Sequence, residues 1–304
     1  MQMTYRLLPA AVVLIASAWA WGSDTSGNFE REVAADAHGV VEISNTNGTV
    51  DVTGWDRAAV SVKAELGADV DRVEVTTSGN HTMIRVVQRH PPASFNFGHG
   101  ETHLRVQVPK DSELDVSAVS ANATSAGVLG AQRLKTVSGD ITAEIGPADI
   151  EVKSVSGSLK LRGKGEPAKL HLSTVSGDLE LKHAAGDLEA TTVSGELTVE
   201  VDPAGSVRLR STSGDIRFEG RLRRGADFDA QSVSGDLKVR AGTEDGFAFE
   251  AASVTGDISD CFNVAAQRTG EYGPGMKMNG TRGAGSAHVR LKTMSGEIDL
   301  CDRR

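Results

Sequence analysis

The chain has 304 residues, 39% hydrophobic and 24% charged, with a formal net charge of −9. That composition is globular rather than disordered, and its acidity argues against nucleic acid or anionic lipid as partner. Aromatic residues make up only 4%, so any core must be built from Val, Leu, Ile and Ala, which suits a thin, regularly stacked interior.

Residues 1–20 read as a secretory signal peptide. Arg6 supplies the positive start, Leu7 to Ala18 an apolar stretch too short for a confident membrane span, and Ala18-Trp19-Ala20 an A-x-A cleavage site. An uncleaved N-terminal anchor is the alternative. Cleavage would remove one Arg and no acid, taking the charge to −10 (31 basic against 41 acidic residues). The mature chain is expected to be exported, to the periplasm or the cell surface, without inserting into the membrane.

Residues 21–110 form the second segment. A leader, WGSDTSGN, precedes a first strand near Phe29 to Val33, and Val41 to Val52 has the pattern of a first coil. Four stretches then alternate with period two, around Val60–Ala64, Val73–Val75, Ile84–Val86 and Leu104–Val108. They predict antiparallel hairpins covering one end of a stack, because an exposed terminal edge invites aggregation.

Residues 111–304 are dominated by one returning phrase. TVSGDI at Thr136 to Ile141 is followed by variants centred on Gly157, Gly177, Gly195, Gly214, Gly235, Gly256 and Gly296, with Ala121 in the glycine place of a degenerate first unit. Successive glycines from Gly139 are 18, 20, 18, 19, 21, 21 and 40 residues apart. A sustained period near twenty predicts an array. The fold class expected is all-β: a single-chain parallel β-solenoid (β-helix) with coils of roughly 18–21 residues and an N-terminal antiparallel β cap. Right-handed coiling is expected from the general crossover rule. Strict alternation would put Val137, Gly139 and Ile141 inward and Thr136, Ser138 and Asp140 outward, with Val175 inward in the same way. Residues 261–292 read as a hairpin or loop inserted in an enlarged last coil, where Phe262, Tyr272, Met276 and Met278 could cap the end.

Cys261 and Cys301 each lie five residues after a repeat glycine. Equivalent positions on adjacent coils are about 4.8 Å apart, inside the roughly 4.4–6.8 Å a disulfide needs. A disulfide is therefore expected, ahead of free thiols or a metal, provided residues 257–295 make one enlarged coil.

Three constellations bear on chemistry. The position after each glycine carries Asp140, Ser158, Asp178, Glu196, Asp215, Asp236, Asp257 and Glu297, an outward acidic row. Asp178, Asp215 and Asp236 are its candidate cation ligands, with Ca²⁺ the conceivable ion. The favoured reading is a solvated edge that discourages lateral sheet pairing, with no cofactor. Parallel β-helices can also carry glycan-cleaving carboxylates, but here the acids recur evenly instead of converging. His99-Gly-Glu-Thr-His103, with His90, is not a helical metal motif and reads as a polar loop. No catalytic residue is assigned.

NTNGTVDVTGW at Asn45 to Trp55, VPKDSELDVSAVSA at Val108 to Ala121, the serial TVSGD units, and EYGPG at Glu271 to Gly275 followed by KTMSGEIDLC together resemble the bacterial putative adhesin, or toast-rack, family of exported β-solenoids. The resemblance covers nearly the whole mature chain. It implies a β-helical fold and an envelope location, in some members beside envelope-stress regulators, and carries no catalytic residues to transfer. A non-catalytic binding or structural protein of the envelope, with an unknown envelope protein or glycan as partner, is the expected function. A glycan-active enzyme or an accessory in envelope-stress sensing are the alternatives.

Overall fold

The computed structural model describes residues 27–89, 100–269 and 274–301. The expected signal peptide, most of the leader, His90, His99 and Tyr272 lie outside them. The described residues are all-β, with no helix.

Each repeat contributes two short strands that meet at a Ser-Gly corner, and each strand pairs in parallel with its counterpart one repeat away. Strand Ile150–Ser156 lies between Gln132–Ser138 and Pro167–Ser176, with Ile150 opposite both Gln132 and Leu170. Past the corner, Leu159–Gly163 lies between Ile141–Ile145 and Leu179–Ser194, with Leu159 opposite both Ile141 and Leu179. Two parallel ladders therefore run side by side along the molecule.

The inward positions before the corner are Ile150, Val152 and Ser154, and after it Leu159 and Leu161, all at most 5% exposed. The last inward position of one strand and the first of the next are five positions apart, Ser154 to Leu159, where unbroken alternation would need an even step. The corner thus resets the phase. Thr136, Thr174 and Thr192 face inward, while Val137, Val155 and Val175 are 49, 47 and 44% exposed. This corrects the expectation that these valines are core. The cause lies in the glycine: Gly157 has φ +147° and Gly177 φ +147°, a conformation that turns the chain and that L-residues rarely adopt. A Cβ on Gly177 would also lie 2.2 Å from the carbonyl oxygen of Gly157 in the layer before, so the glycine serves both the bend and the close backbone approach.

The core is a continuous column of Val, Leu, Ile and Ala from both ladders. Burying each Val or Leu contributes about 1.5–3 kcal/mol. Toward the C-terminal end it widens to admit aromatic rings: Phe218 and Phe228 meet tilted at 57° with centroids 4.5 Å apart, and Phe247, Phe249 and Phe262 form a cluster with centroids 6.0–6.1 Å apart.

At the N-terminal end, strand Val40–Trp55 runs through both ladders and pairs in parallel with Glu113–Ala126, Val40 opposite Glu113. Beyond it, His81–Gln88 and Thr102–Pro109 add in parallel. The antiparallel neighbours Val70–Ser78, Ala59–Glu65 and Asn28–Ala34 finish this end.

At the C-terminal end, spatial order departs from chain order. Strand Ala287–Ser295 lies between Asp227–Ser234 and Phe247–Thr255, and Ile298–Cys301 lies between Leu237–Gly242 and Ile258–Asp260. The last repeat in sequence is the second-last layer in space. The chain skips a layer after Gly242, builds the terminal layer, leaves it at Cys261, and fills the gap with residues 287–301. On the way, Met276–Thr281 pairs antiparallel with the outer edge of Phe247–Thr255, and Met278 and Phe262 pack onto the end. A disulfide joins Cys261 to Cys301 across the two final layers, Cα–Cα 5.0 Å.

Candidate functional site

The phase reset creates the molecule's outer face. In spatial order, Val119, Val137, Val155, Val175, Val193, Val233, Met294 and Val254 project outward, each 44–56% exposed, with Thr212 interrupting the row. At one strand spacing per layer the row extends roughly 38 Å. An apolar row of this length on an exposed face is the pattern of a contact surface. Alternation alone hid it, because the valine shares parity with the core residues on the far side of the glycine.

On one flank of the valines, two residues earlier in each strand, stand Lys135, Lys153, Ser173, Thr191, Arg210, Gln231, Lys292 and Ala252, a column without a carboxylate. The next column is mixed and paired. Arg133 reaches Glu113, Asp115 and Glu151 at 3.2–3.4 Å. Hydrogen bonding from Lys153, and after it the Arg133 bond, hold the Glu151 carboxyl below the ordinary carboxylate range.

The acidic row lies on the other side of the corner, and the structure gives its carboxylates a specific partner. Asp140 Oδ1 accepts the backbone N–H of Ser158, Asp178 Oδ1 that of Glu196, Asp215 Oδ1 that of Asp236, and Asp236 Oδ1 that of Glu297, at 2.8–3.0 Å. Asn122 does the same for Asp140 at 2.9 Å. Each short side chain thus closes the ladder at the corner, satisfying a backbone donor of the next layer. The longer Glu196 instead bonds Thr198 and Arg217, and Arg217 also reaches Asp215 at 3.8 Å. Of the three candidate cation ligands, Asp215 and Asp236 stand on adjacent layers, while the Glu196 layer separates Asp178 from Asp215.

Among the described residues one group of three potential metal ligands converges, Cys261, Asp299 and Cys301, and the disulfide engages both of its sulfurs. His103 Nδ1 lies 3.1 Å from Thr49 Oγ1.

Of the concavities toward the C-terminal end, two bear on function. The larger, of about 900 Å³, is an open groove on the valine face. Its floor is Val193, Val233, Met294 and Val254, and Pro274 and Met276 of the outgoing hairpin form its wall. Arg210, Lys277 and Lys292 also line it, with no carboxylate among the described lining residues. The second, of about 600 Å³, is charged, with Arg208, Asp229, Glu250, His288 and Arg290. There Asp229 accepts from Gln231 at 2.9 Å, and Arg290 stands 3.8 Å from Glu250. No signal in the repeat announces either one, since both depend on which layers the closing strands join. Among the described residues no helix is long and apolar enough to cross a membrane.

Residues 38–246 and 204–301 match the model of the family described as Toastrack DUF4097. No curated protein matches the chain. Solved structures similar to it include a "putative adhesin" from Bacteroides fragilis, 11% identical over 91% of this chain and 98% of that one, TM-score 0.39. A "putative adhesin" from Parabacteroides distasonis is 8% identical over 90% and 96%, TM-score 0.39. A "putative lipid binding protein" from the same species is 11% identical over 91% and 97%, TM-score 0.30. No functional residue transfers from these at such identity.

Proposed function

Because this chain belongs to the Toastrack DUF4097 family, we propose that it is an exported, non-catalytic, adhesin-like binding protein of the cell envelope. Its body is a single parallel β-solenoid with coils of 18–21 residues and antiparallel strands over its N-terminal end. The single observation that carries this reading is the row of outward valines. An interior-type residue repeated on the surface at nearly every layer, beside a column without carboxylates, suits contact with an extended partner surface. The acidic row supports the non-catalytic part, since most of its short side chains are engaged with backbone donors.

The test is attachment of the purified chain to isolated envelope of the source cells, with Val137→Glu/Val175→Glu as the variant. Both positions are exposed, so the variant keeps its melting temperature. Attachment should fall with the double variant; full attachment by it would remove the valine face as the contact surface. Fractionation of the cells checks the compartment.

The charged concavity favours one second reading, a glycan-active enzyme, because it gathers carboxylates and arginines where layer order breaks. Incubation with envelope glycans should release no reducing ends. Release that is lost in Glu250→Gln would establish the enzyme instead.

A further inference from the structure

The valine row is flat along most of its length and becomes concave only at its C-terminal end, where the outgoing hairpin rises beside it. The resulting groove is about 900 Å³, within the range of sites that hold small organic ligands. It runs across five layers, from Val193 to Val254, or roughly 19 Å. Hydroxyls of Thr191 and Thr269 and the Gln231 amide line it, but the row along its floor is Val and Met except for Thr212, which suits an acyl chain better than a glycan.

Charge then selects the occupant. The whole chain carries 41 acidic against 32 basic residues, yet among the described residues the groove is lined by Arg210, Lys277 and Lys292 and by no carboxylate. Among the described residues none of the three cations has an ion pair or side-chain hydrogen bond, and they come from different elements: Leu197–Ser213, Met276–Thr281 and Ala287–Ser295. The net charge opposes adsorption to an anionic membrane, but it does not oppose one anionic head placed at these cations.

Resting on the reading of the valine face as a binding surface, we infer that this groove binds a single-chain anionic lipid. The acyl chain lies along Val193, Val233, Met294 and Val254 under Met276, and the phosphate head meets Arg210, Lys277 and Lys292. Burial of the chain supplies the affinity, and the cations supply the choice of head.

The probe is lysophosphatidylglycerol, titrated calorimetrically into the full chain below its micelle concentration. Saturable binding is expected, with lysophosphatidylcholine of the same chain length weaker by about tenfold or more and glycerol phosphate alone silent. Met294→Glu, which puts a charge on the apolar floor, and Lys292→Glu should each weaken binding by about tenfold or more. Val137→Glu, on the same row but outside the groove, should keep wild-type affinity. All three positions are exposed, and unchanged melting temperatures check folding. Absence of binding, equal affinity for the choline head, or equal loss in Val137→Glu overturns the inference, the last because it would mean adsorption along the whole row. If lipid binding fails while envelope attachment still depends on Val137 and Val175, this inference falls and the broader reading stands. If both fail, the valine face has no binding role.

Discussion

At the scale of single residues, the repeat phrase divides its labour sharply. The glycine is fixed twice, by a φ near +145° and by the carbonyl of the preceding layer. Gly177→Ala should therefore destabilise the chain by more than about 2 kcal/mol, because its Cβ would sit 2.2 Å from the Gly157 oxygen. Gly165, at φ +81° with open space around it, provides the control: Gly165→Ala should cost only about 1 kcal/mol. Urea denaturation of the two variants separates close approach from backbone strain. The acid after the glycine acts as a backbone acceptor, so Asp215→Asn should be nearly neutral and Asp215→Ala should cost about 1 kcal/mol. Asn122, which already serves this role toward Asp140, is the built-in precedent. On the same logic Ca²⁺ should produce no saturable rise in melting temperature; a rise abolished in Asp215→Asn would make the row a cation site after all.

At the scale of elements, the two strands of a repeat share one alternation rule but not one phase. The period near twenty and the all-β character were legible because glycine corners and alternating apolar residues recur openly in the chain. The phase was not. Counting by twos from Ile141 back through Gly139 places Val137 inside, and only the positive φ at the glycine, invisible as a letter, puts it outside. The valine face was therefore missed in sequence, while its raw material was in plain view. The outgoing hairpin is tied down by the Cys261–Cys301 disulfide, which spans 40 residues. In the chain-entropy model, opening a loop of that length removes about 4 kcal/mol. Reduction should leave the central layers intact and loosen the final two. Hydrogen exchange followed by mass spectrometry should show faster exchange over residues 247–260 and 287–301, with 150–200 unchanged; uniform loss of protection would mean that the disulfide holds the whole stack.

At the scale of the whole molecule, stability is a sum of layers and the contacts between neighbours, so the consequence of removing a layer depends on where it lies. Deleting residues 287–304 removes an interior layer, leaving Phe247–Thr255 two strand spacings, about 9.6 Å, from Asp227–Ser234. The deletion should unfold residues 247–286 as well, and limited proteolysis should trim it back to about Gly242; a protected 247–260 segment would show that the terminal layer can close the gap unaided. This order was illegible because the repeats are near copies. SVTGDI could stack on SVSGDL as readily as TMSGEI does, and nothing local marks which of the two takes that place. The same order has a bearing on biogenesis. Chains emerge from the ribosome with the N-terminus leading, and most repeat stacks can be completed in that direction, layer upon layer. Here the strands of residues 287–301 emerge after both of the layers they lie between, so a product that stops short of them carries an unhealed seam that proteases can read.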